Sequence, residues 1–419
     1  MKITYTSLLF LMITVFTVLS ACKAKQEATE IESKFTITNP LDRAREDVII
    51  SLKNNALSPF LASENITLSV PYQFNDNDSD GKVDELIMLM NLEANEKKIL
   101  QASELISETP QVFPKRTQAE ISHKINGEWK SRTKEKDKDK LEYVGGTFQN
   151  VKHLKVPEEH TDHSWYIRYE GPGWESDLVG YRFYLDWRNA TDIFGKKTTD
   201  LVLQDVGQDG FDSYHEAADW GMDVLKVGKS LGIGALGMWL NGKAERVAET
   251  ESLESKIISN GIIQSKVRTS YHAWSINDQK VDLISDLSIN AGSRLTHHEL
   301  ELSENVPNIC TGIVKAENAE LFTNAQKGVS GWGYIATYGQ QSLAADNLGM
   351  VVFFKNEDLE MITEDEHSHV VVLKPKHKKL EYYFAACWEQ EADGITTKEA
   401  FMEYLNEQVQ MLNTPIQIL

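Results

Sequence analysis

From Gly261 onward, apolar and polar positions alternate with the two-residue period of β-strands. The runs are GIIQSKVRTSYHAWSI, KVDLISDLSIN, SRLTHHELELS, NICTGIVKA, GWGYIATYG, LGMVVFFK, HVVVLKP and KLEYYFAACWE. They are rich in Val, Ile, Thr and aromatics and are separated by Asn, Asp, Gly or Pro. Earlier strand-like stretches are FTITNPLDRAREDVIISL and Leu68 to Tyr72. Lys398 to Leu412 has helical spacing and predicts a C-terminal helix. No repeat of fixed period is present. The pattern predicts an all-β protein, most simply a large two-sheet β-sandwich with that helix appended.

The densest chemistry lies between His163 and Tyr214. Two strand-like runs flank the loop GPGWESDLVG. In the first, Trp165, Ile167 and Tyr169 alternate with Tyr166, Arg168 and Glu170. In the second, Tyr181, Phe183, Leu185 and Trp187 alternate with Arg182, Tyr184, Asp186 and Arg188. Paired as a hairpin, the runs would join their polar faces into one surface of guanidiniums, phenols and carboxylates. Such a surface suits an anionic, hydroxyl-rich ligand. The alternative is an ordinary solvated sheet face.

The segment Asp76-Asn77-Asp78-Ser79-Asp80-Gly81-Lys82-Val83-Asp84-Glu85 has carboxylates at its first, third, fifth and ninth positions and Gly at its sixth. That spacing matches a calcium loop, with Asp76, Asp78, Asp80 and Asp84 as ligands. The twelfth position is Ile87, so a full EF-hand fails, and a polar turn between strands is the alternative. Calcium is the one cofactor for which the sequence offers a place. Trp129 to Lys140 is a mixed-charge run that reads as a solvated loop.

The net charge is -20, from 63 acidic and 43 basic residues, which argues against nucleic acid as a partner. An acidic ligand must therefore be held by a local cationic cluster. At the N-terminus, Lys2 precedes an apolar run from Leu8 to Leu19, followed by Ser20, Ala21 and Cys22. This reads as a secretory signal. Its Leu-Ser-Ala-Cys ending resembles a bacterial lipobox, which implies cleavage before Cys22 and lipidation of its thiol. The expected organisation is a signal peptide over 1–21, a flexible tether over 22–34 and one β-sandwich catalytic domain over 35–419. The expected location is the outer membrane, periplasm-facing in preference to surface-exposed, with the lipid as the only membrane contact. Cys310 and Cys387 remain, either as one disulfide or as free buried thiols.

His215 follows Asp212, Ser213 and Tyr214 and precedes Glu216, a setting for a general acid or base. His123 stands between strand-like runs. Alternation puts His298 on the face of Leu300 and Leu302, and His297 on that of Glu299 and Glu301. Each histidine has a purely structural alternative. No Gly-x-Ser-x-Gly and no activated Cys supports acyl transfer. Glu170, Glu175, Asp177 and Asp186 leave glycoside hydrolysis open. The Arg/Tyr/His set also suits β-elimination from a uronate: a cation neutralises the carboxylate, one group removes the neighbouring proton, and another protonates the leaving oxygen.

The stretches YEGPGWESDLVGYRFYLDWRNATDIFGKK and VLQDVGQDGFDSYHEAADWGMDVLKVGKSLGIGALGMW resemble a family of lipoproteins from polysaccharide-degrading Bacteroidetes. So do TNPLDRAREDVIISL and DNDSDGKVDEL. The resemblance implies a galactose-mutarotase-like sandwich. It also implies an oligosaccharide dehydratase that acts on ulvan fragments, the sulfated rhamnose–uronate glycans of green algae. The expected reaction removes water from the non-reducing-end glucuronate or iduronate. From the chemistry, His215 with Tyr181 or Tyr184 would exchange protons, with His123 and His298 in reserve. Arg168, Arg182 and Glu170 would bind the anionic sugar, and Trp174, Trp220 and Trp239 would stack on rings, although a Trp in a sandwich is more often core. A polysaccharide lyase and a non-catalytic glycan-binding surface lipoprotein are the alternatives.

Overall fold

The computed structural model describes residues 34–61, 66–133, 139–210 and 213–419. The expected signal peptide, nearly all of the tether, Cys22, Asp212 and the middle of the mixed-charge run lie outside the described residues. The protein is an all-β sandwich with a C-terminal helix. Its largest layer is a nine-stranded antiparallel sheet. From one edge, the strands are Ala319–Thr323, Trp332–Gln340, Asn347–Lys355, Lys379–Trp388, Thr296–Leu302, Gln279–Asn290, Gln264–Ile276, Ser252–Asn260 and His153–Lys155. A five-stranded sheet around Ile233–Leu240 and Ile309–Val314 and a six-stranded sheet around Val179–Phe183 and Thr191–Lys196 share its main hydrophobic core.

The alternation read in the sequence is the alternation of burial. In Thr296–Leu302, Thr296, His298, Leu300 and Leu302 face the core, while Glu299 and Glu301 face outward. The helix Lys398–Asn413 starts on Thr397, whose hydroxyl accepts from the Ala400 amide at 3.2 Å. It buries Phe401 and Leu405 on the outer face of the large sheet, with Phe401 stacked 5.3 Å from Tyr338. Residues 34–106 form a smaller core of their own, around Ile37, Ile50, Leu86 and Met88. The strand Gln417–Ile418 returns to pair with Lys34–Thr38. Cys310 and Cys387 are free and buried.

The central hairpin differs from the sequence expectation. Trp165 to Glu170 is not a strand: it is an irregular turn ending in the short 3-10 segment Arg168–Glu170. The loop expected between two strands is itself the hairpin, with Gly173–Ser176 paired to Val179–Phe183 so that Trp174 sits opposite Tyr181. Gly171 explains the shift, because a Cβ there would lie 1.7 Å from the Phe183 carbonyl oxygen. The chain can pass Phe183 only as bare backbone.

His298 is a core residue. Its Nε2 lies 2.7 Å from the Ser285 hydroxyl and its ring 4.8 Å from Tyr382. Burial pushes its pKa down to about 3. The unfolded chain binds this proton below pH ~6.5, whereas the native state does not. The contribution is therefore fully present above pH ~6.5 and is lost at up to ~1.4 kcal/mol per pH unit as pH falls. In an NMR titration from pH ~8 to ~5, which spans the ordinary histidine range, the His298 ring signals are expected to stay fixed. A midpoint in that interval would contradict this placement.

Candidate active-site cleft

The long strand Thr117–Ser131 pairs with Gly173–Ser176 at its start and with Leu141–Val151 beyond that, so the two long strands form a hairpin at one edge of the six-stranded sheet. Lys124, Thr147 and Phe148 of this hairpin form one wall of a cleft of about 720 Å³. Trp165, Gln208 to Gly210, Ser213 and Glu216 form the other. A smaller recess shares Phe148, Trp165 and Gly210 with the cleft and reaches His163, Glu170 and Tyr214.

The wall that carries His163 is conformationally costly. His163, Trp165, Tyr169 and Glu170 all have positive φ, from 37° to 72°. Non-glycine residues in this region cost of order ~1–3 kcal/mol each, and such residues cluster at functional sites. A dense ion-pair network holds them. Arg188 lies 2.8 Å from Glu170 and 3.1 Å from Asp162, pairs with Asp186, and stacks 3.9 Å over the Tyr184 ring. The His163 amide donates to Glu170 at 2.8 Å, and His163 Nδ1 is bonded to the Asp162 carboxylate. Burial opposes ionisation of Asp162, but the His163 bond and the Arg188 charge outweigh it and hold the carboxyl at about 2. The Asp162 hydrogen bond raises the His163 pKa above its ordinary value against the opposing effect of burial. With Nδ1 bonded to Asp162, a proton that this ring exchanges moves at Nε2.

Behind the recess, Arg182 is buried and bonded to three side chains. Its Nε and Nη2 bond Asp192 at 3.1 and 2.7 Å, its Nη2 also bonds Asp223, and its Nη1 donates to the Tyr214 hydroxyl at 2.8 Å. Burial, and then the adjacent Asp192, push the Asp223 pKa well up. Burial also raises the Tyr214 pKa, against the pull of Arg182, so the phenol stays protonated at neutral pH.

Several sequence-predicted site residues fall elsewhere. Arg168 is corrected from a ligand-facing to a structural role: it pairs with buried Glu120 and donates to the carbonyls of Leu203, Gln204 and Val206 at 2.9–3.0 Å. Arg182 is corrected likewise. The segment after Lys197 folds back over the face expected to meet solvent and forms a small core with Tyr169, Phe194 and Tyr214. Tyr181 is in the main core, its hydroxyl donating to the Arg294 carbonyl at 2.8 Å and accepting from the Ala386 amide at 2.9 Å. The Tyr184 hydroxyl is spent on Asp192. Trp174 is fully buried, bonded to Thr296 and stacked on Tyr181. Trp239 packs against the main core from the five-stranded sheet, and Trp220 against the small one.

His123 neighbours Lys124 on one strand, and successive side chains point to opposite faces. It joins an aromatic group with Trp129, Tyr143 and Tyr166. His298 is in the core. Of the expected set, Glu170 lines the recess. His215 sits in the turn Ser213–His215, whose neighbours Ser213 and Glu216 line the cleft and Tyr214 the recess, and its Nε2 lies 3.4 Å from Asp223. Sequence reasoning missed Asp162, His163, Lys124, Trp165 and Tyr214 as site residues, and placed Arg188 in the polar face of the second run without a role of its own. The polar run HTDHSW was the available signal.

Among the described residues, two groups have metal-ligand proximity. The ligand atoms of Asp162, His163 and Glu170 lie within 4.8 Å of one another, but the Arg188 guanidinium already occupies the cation position between two of them. This set fits an ion-pair network better than a metal. Asp76, Asp78 and Asp84 also gather three carboxylates within 4.8 Å, as the calcium-loop spacing implies, whereas Asp80 is drawn to Lys82 at 2.8 Å. These three could ligate a divalent ion.

A family model described as Domain of unknown function (DUF4861) matches residues 37–418. The chain belongs to this family. Within DUF4861, then, the cleft and its network are this chain's candidate site. A protein of Formosa agariphila named Uncharacterized protein P7 is 22% identical over 212 residues, spanning 49% of this chain and 51% of that relative. Among solved structures, a glycosyl hydrolase family 38 protein from Enterococcus faecalis aligns with 92% of this chain and 47% of its own, at 8% identity and a TM-score of 0.42. An α-mannosidase from Enterococcus faecalis aligns with 92% of this chain and 45% of its own, at 9% identity and a TM-score of 0.41. At such values neither bears on what this DUF4861 chain does.

Proposed function

We propose that the protein is an oligosaccharide dehydratase that removes water from a non-reducing-end uronate by β-elimination, with ulvan fragments as the substrate class. The observation that carries this reading is the Asp162–His163 pair: His163 lines the recess together with Tyr214, and the recess shares Phe148 and Trp165 with the cleft that Lys124 lines. Lys124 meets the uronate carboxylate and stabilises charge that spreads onto it. Nε2 of His163 takes the proton from the carbon next to that carboxylate. The electron pair left behind forms the double bond to the neighbouring carbon, whose bond to the hydroxyl oxygen breaks. Tyr214 gives its proton to the departing oxygen, which leaves as water, and Arg182 at 2.8 Å stabilises the phenolate. Solvent then reprotonates Tyr214 and accepts the proton held by His163. Trp165 offers the cleft an aromatic face for a sugar ring.

The test is ultraviolet absorbance and mass of ulvan oligosaccharides that end in a saturated uronate, incubated with the purified protein. Dehydration is expected to raise absorbance as a conjugated double bond forms, with loss of one water and an intact chain. Rising absorbance with a shortened chain would make the protein a lyase. Binding without any new absorbance would make it a glycan-binding lipoprotein.

A further inference from the structure

The recess that adjoins the cleft has room for only about 20 Å³. One molecule of liquid water takes about 30 Å³, and a site for a whole small molecule spans about 300 Å³ or more. The recess therefore takes a group the size of a hydroxyl and no sugar ring. The cleft, at about 720 Å³, takes rings. The far side of the recess is held rigidly. Ile167, Tyr169 and Tyr214 are 2%, 4% and 2% exposed and belong to the cores behind it. The backbone is packed as closely: a Cβ added at Gly207 would lie 3.3 Å from the Tyr214 ring and 3.5 Å from that of Tyr169. The lining is also polar in part, because His163, Glu170 and Tyr214 contribute to it. Small polar spaces hold water-sized groups, whereas cavities that stay empty are apolar.

We infer that the recess is a leaving-group pocket that admits a free hydroxyl and shuts out a substituted one. This rests on the dehydratase reading and fixes what the elimination can expel. The oxygen of the breaking C–O bond takes its proton from Tyr214, so that oxygen and whatever it carries must fit beside Tyr214. A hydroxyl oxygen carries one hydrogen and, once protonated, leaves as water. A glycosidic oxygen carries a further sugar, for which the recess has no room. Phe148 and Ile167 set this limit. Phe148 closes the recess from the hairpin, where recess and cleft share it, and Ile167 closes it from the main core. Neither side chain can exchange a proton. They act as specificity-determining residues that confine the reaction to a chain end with a free hydroxyl.

Two probes that differ by one methyl group test it on the full protein. One is an ulvan oligosaccharide ending in a saturated glucuronate, and the other is its ether methylated at the terminal 4-hydroxyl. Loss of water from the first and of methanol from the second give the same unsaturated product, so one absorbance assay reads both. The free hydroxyl is expected to be preferred by at least ~10-fold in kcat/KM, the low end of what one misfitting methylene is worth in a pocket. In Phe148→Ala and in Ile167→Ala the preference should fall about fivefold or more as the recess widens. The preference is a ratio, so a general loss of activity cancels. Ile167 is buried, so Phe148→Ala decides if Ile167→Ala does not fold. A smaller wild-type preference, or one unchanged in the variants, would overturn the inference. If neither probe is turned over, the dehydratase reading fails, and the same comparison is read by isothermal titration. Tighter binding of the free-hydroxyl probe that is lost in Phe148→Ala would then uphold the pocket, whereas equal binding, or none, would overturn it.

Discussion

Replacing His163 by Gln is expected to lower turnover on a uronate-ended oligosaccharide by ~10²–10⁴-fold, the range for a lost general base. Ligand binding and thermal stability should change little. The side chain is 42% exposed, so no core contact is removed. Glutamine keeps a polar group beside Asp162 and cannot accept the substrate proton. Steady-state absorbance assays with a separate binding titration would measure both effects. Turnover within about tenfold of wild type would place the proton transfer elsewhere, with His215 the next group to examine.

The same pair sets a pH dependence. A base must be neutral to accept a proton, so kcat/KM should rise with pH through the His163 pKa and then level off. Because Asp162 raises that pKa, the acid limb should lie above the ordinary histidine value of ~6.5. Asp162→Asn removes the charge that favours imidazolium, so the limb should move to lower pH while the plateau falls. A merely structural Asp162 would lower activity without moving the limb, and an unmoved limb in the kcat/KM profile would count against the assigned role.

The difference between the readable and the unreadable parts of this chain is physical. The face that His298 shares with Leu300 and Leu302 was legible because one strand with one buried face obeys a period of two, but the reserve role in proton exchange expected for it does not fit that burial. The Asp76 to Asp84 turn was legible because its ligand spacing is local. Arg168 and Arg182 were misread as ligand-facing. Alternation tells which residues share a face, but not whether solvent or another segment covers it. Here Val202, Leu203, Val206 and Tyr214 cover it, and that contact joins residues more than thirty positions apart, as Arg168 to Leu203 and Arg182 to Tyr214 show. His163 was overlooked for a related reason. Its role comes from positive-φ backbone and from Arg188, and neither leaves a periodic trace.

The buried network makes a separate prediction about Arg182, with a large effect on stability. Arg182→Met should destabilise the fold by ~3–5 kcal/mol, because removing one partner of a buried ion cluster leaves its counter-charge without compensation. The guanidinium joins Asp192 and Asp223, both almost inaccessible, and the ring of Tyr184 lies 4.9 Å from it. Methionine fills a similar volume but satisfies none of these acceptors. Denaturant unfolding of Arg182→Met and of the double variant Arg182→Met with Asp192→Leu distinguishes the cause. Removing Asp192 as well should recover part of the loss, since only Asp223, whose pKa burial pushes well up, then remains without its cation. If Arg182→Met instead unfolds like wild type, within about 0.5 kcal/mol, and only KM rises, then Arg182 contacts substrate as its place in the sequence suggested. The cleft would then extend through Tyr214 to the buried carboxylates.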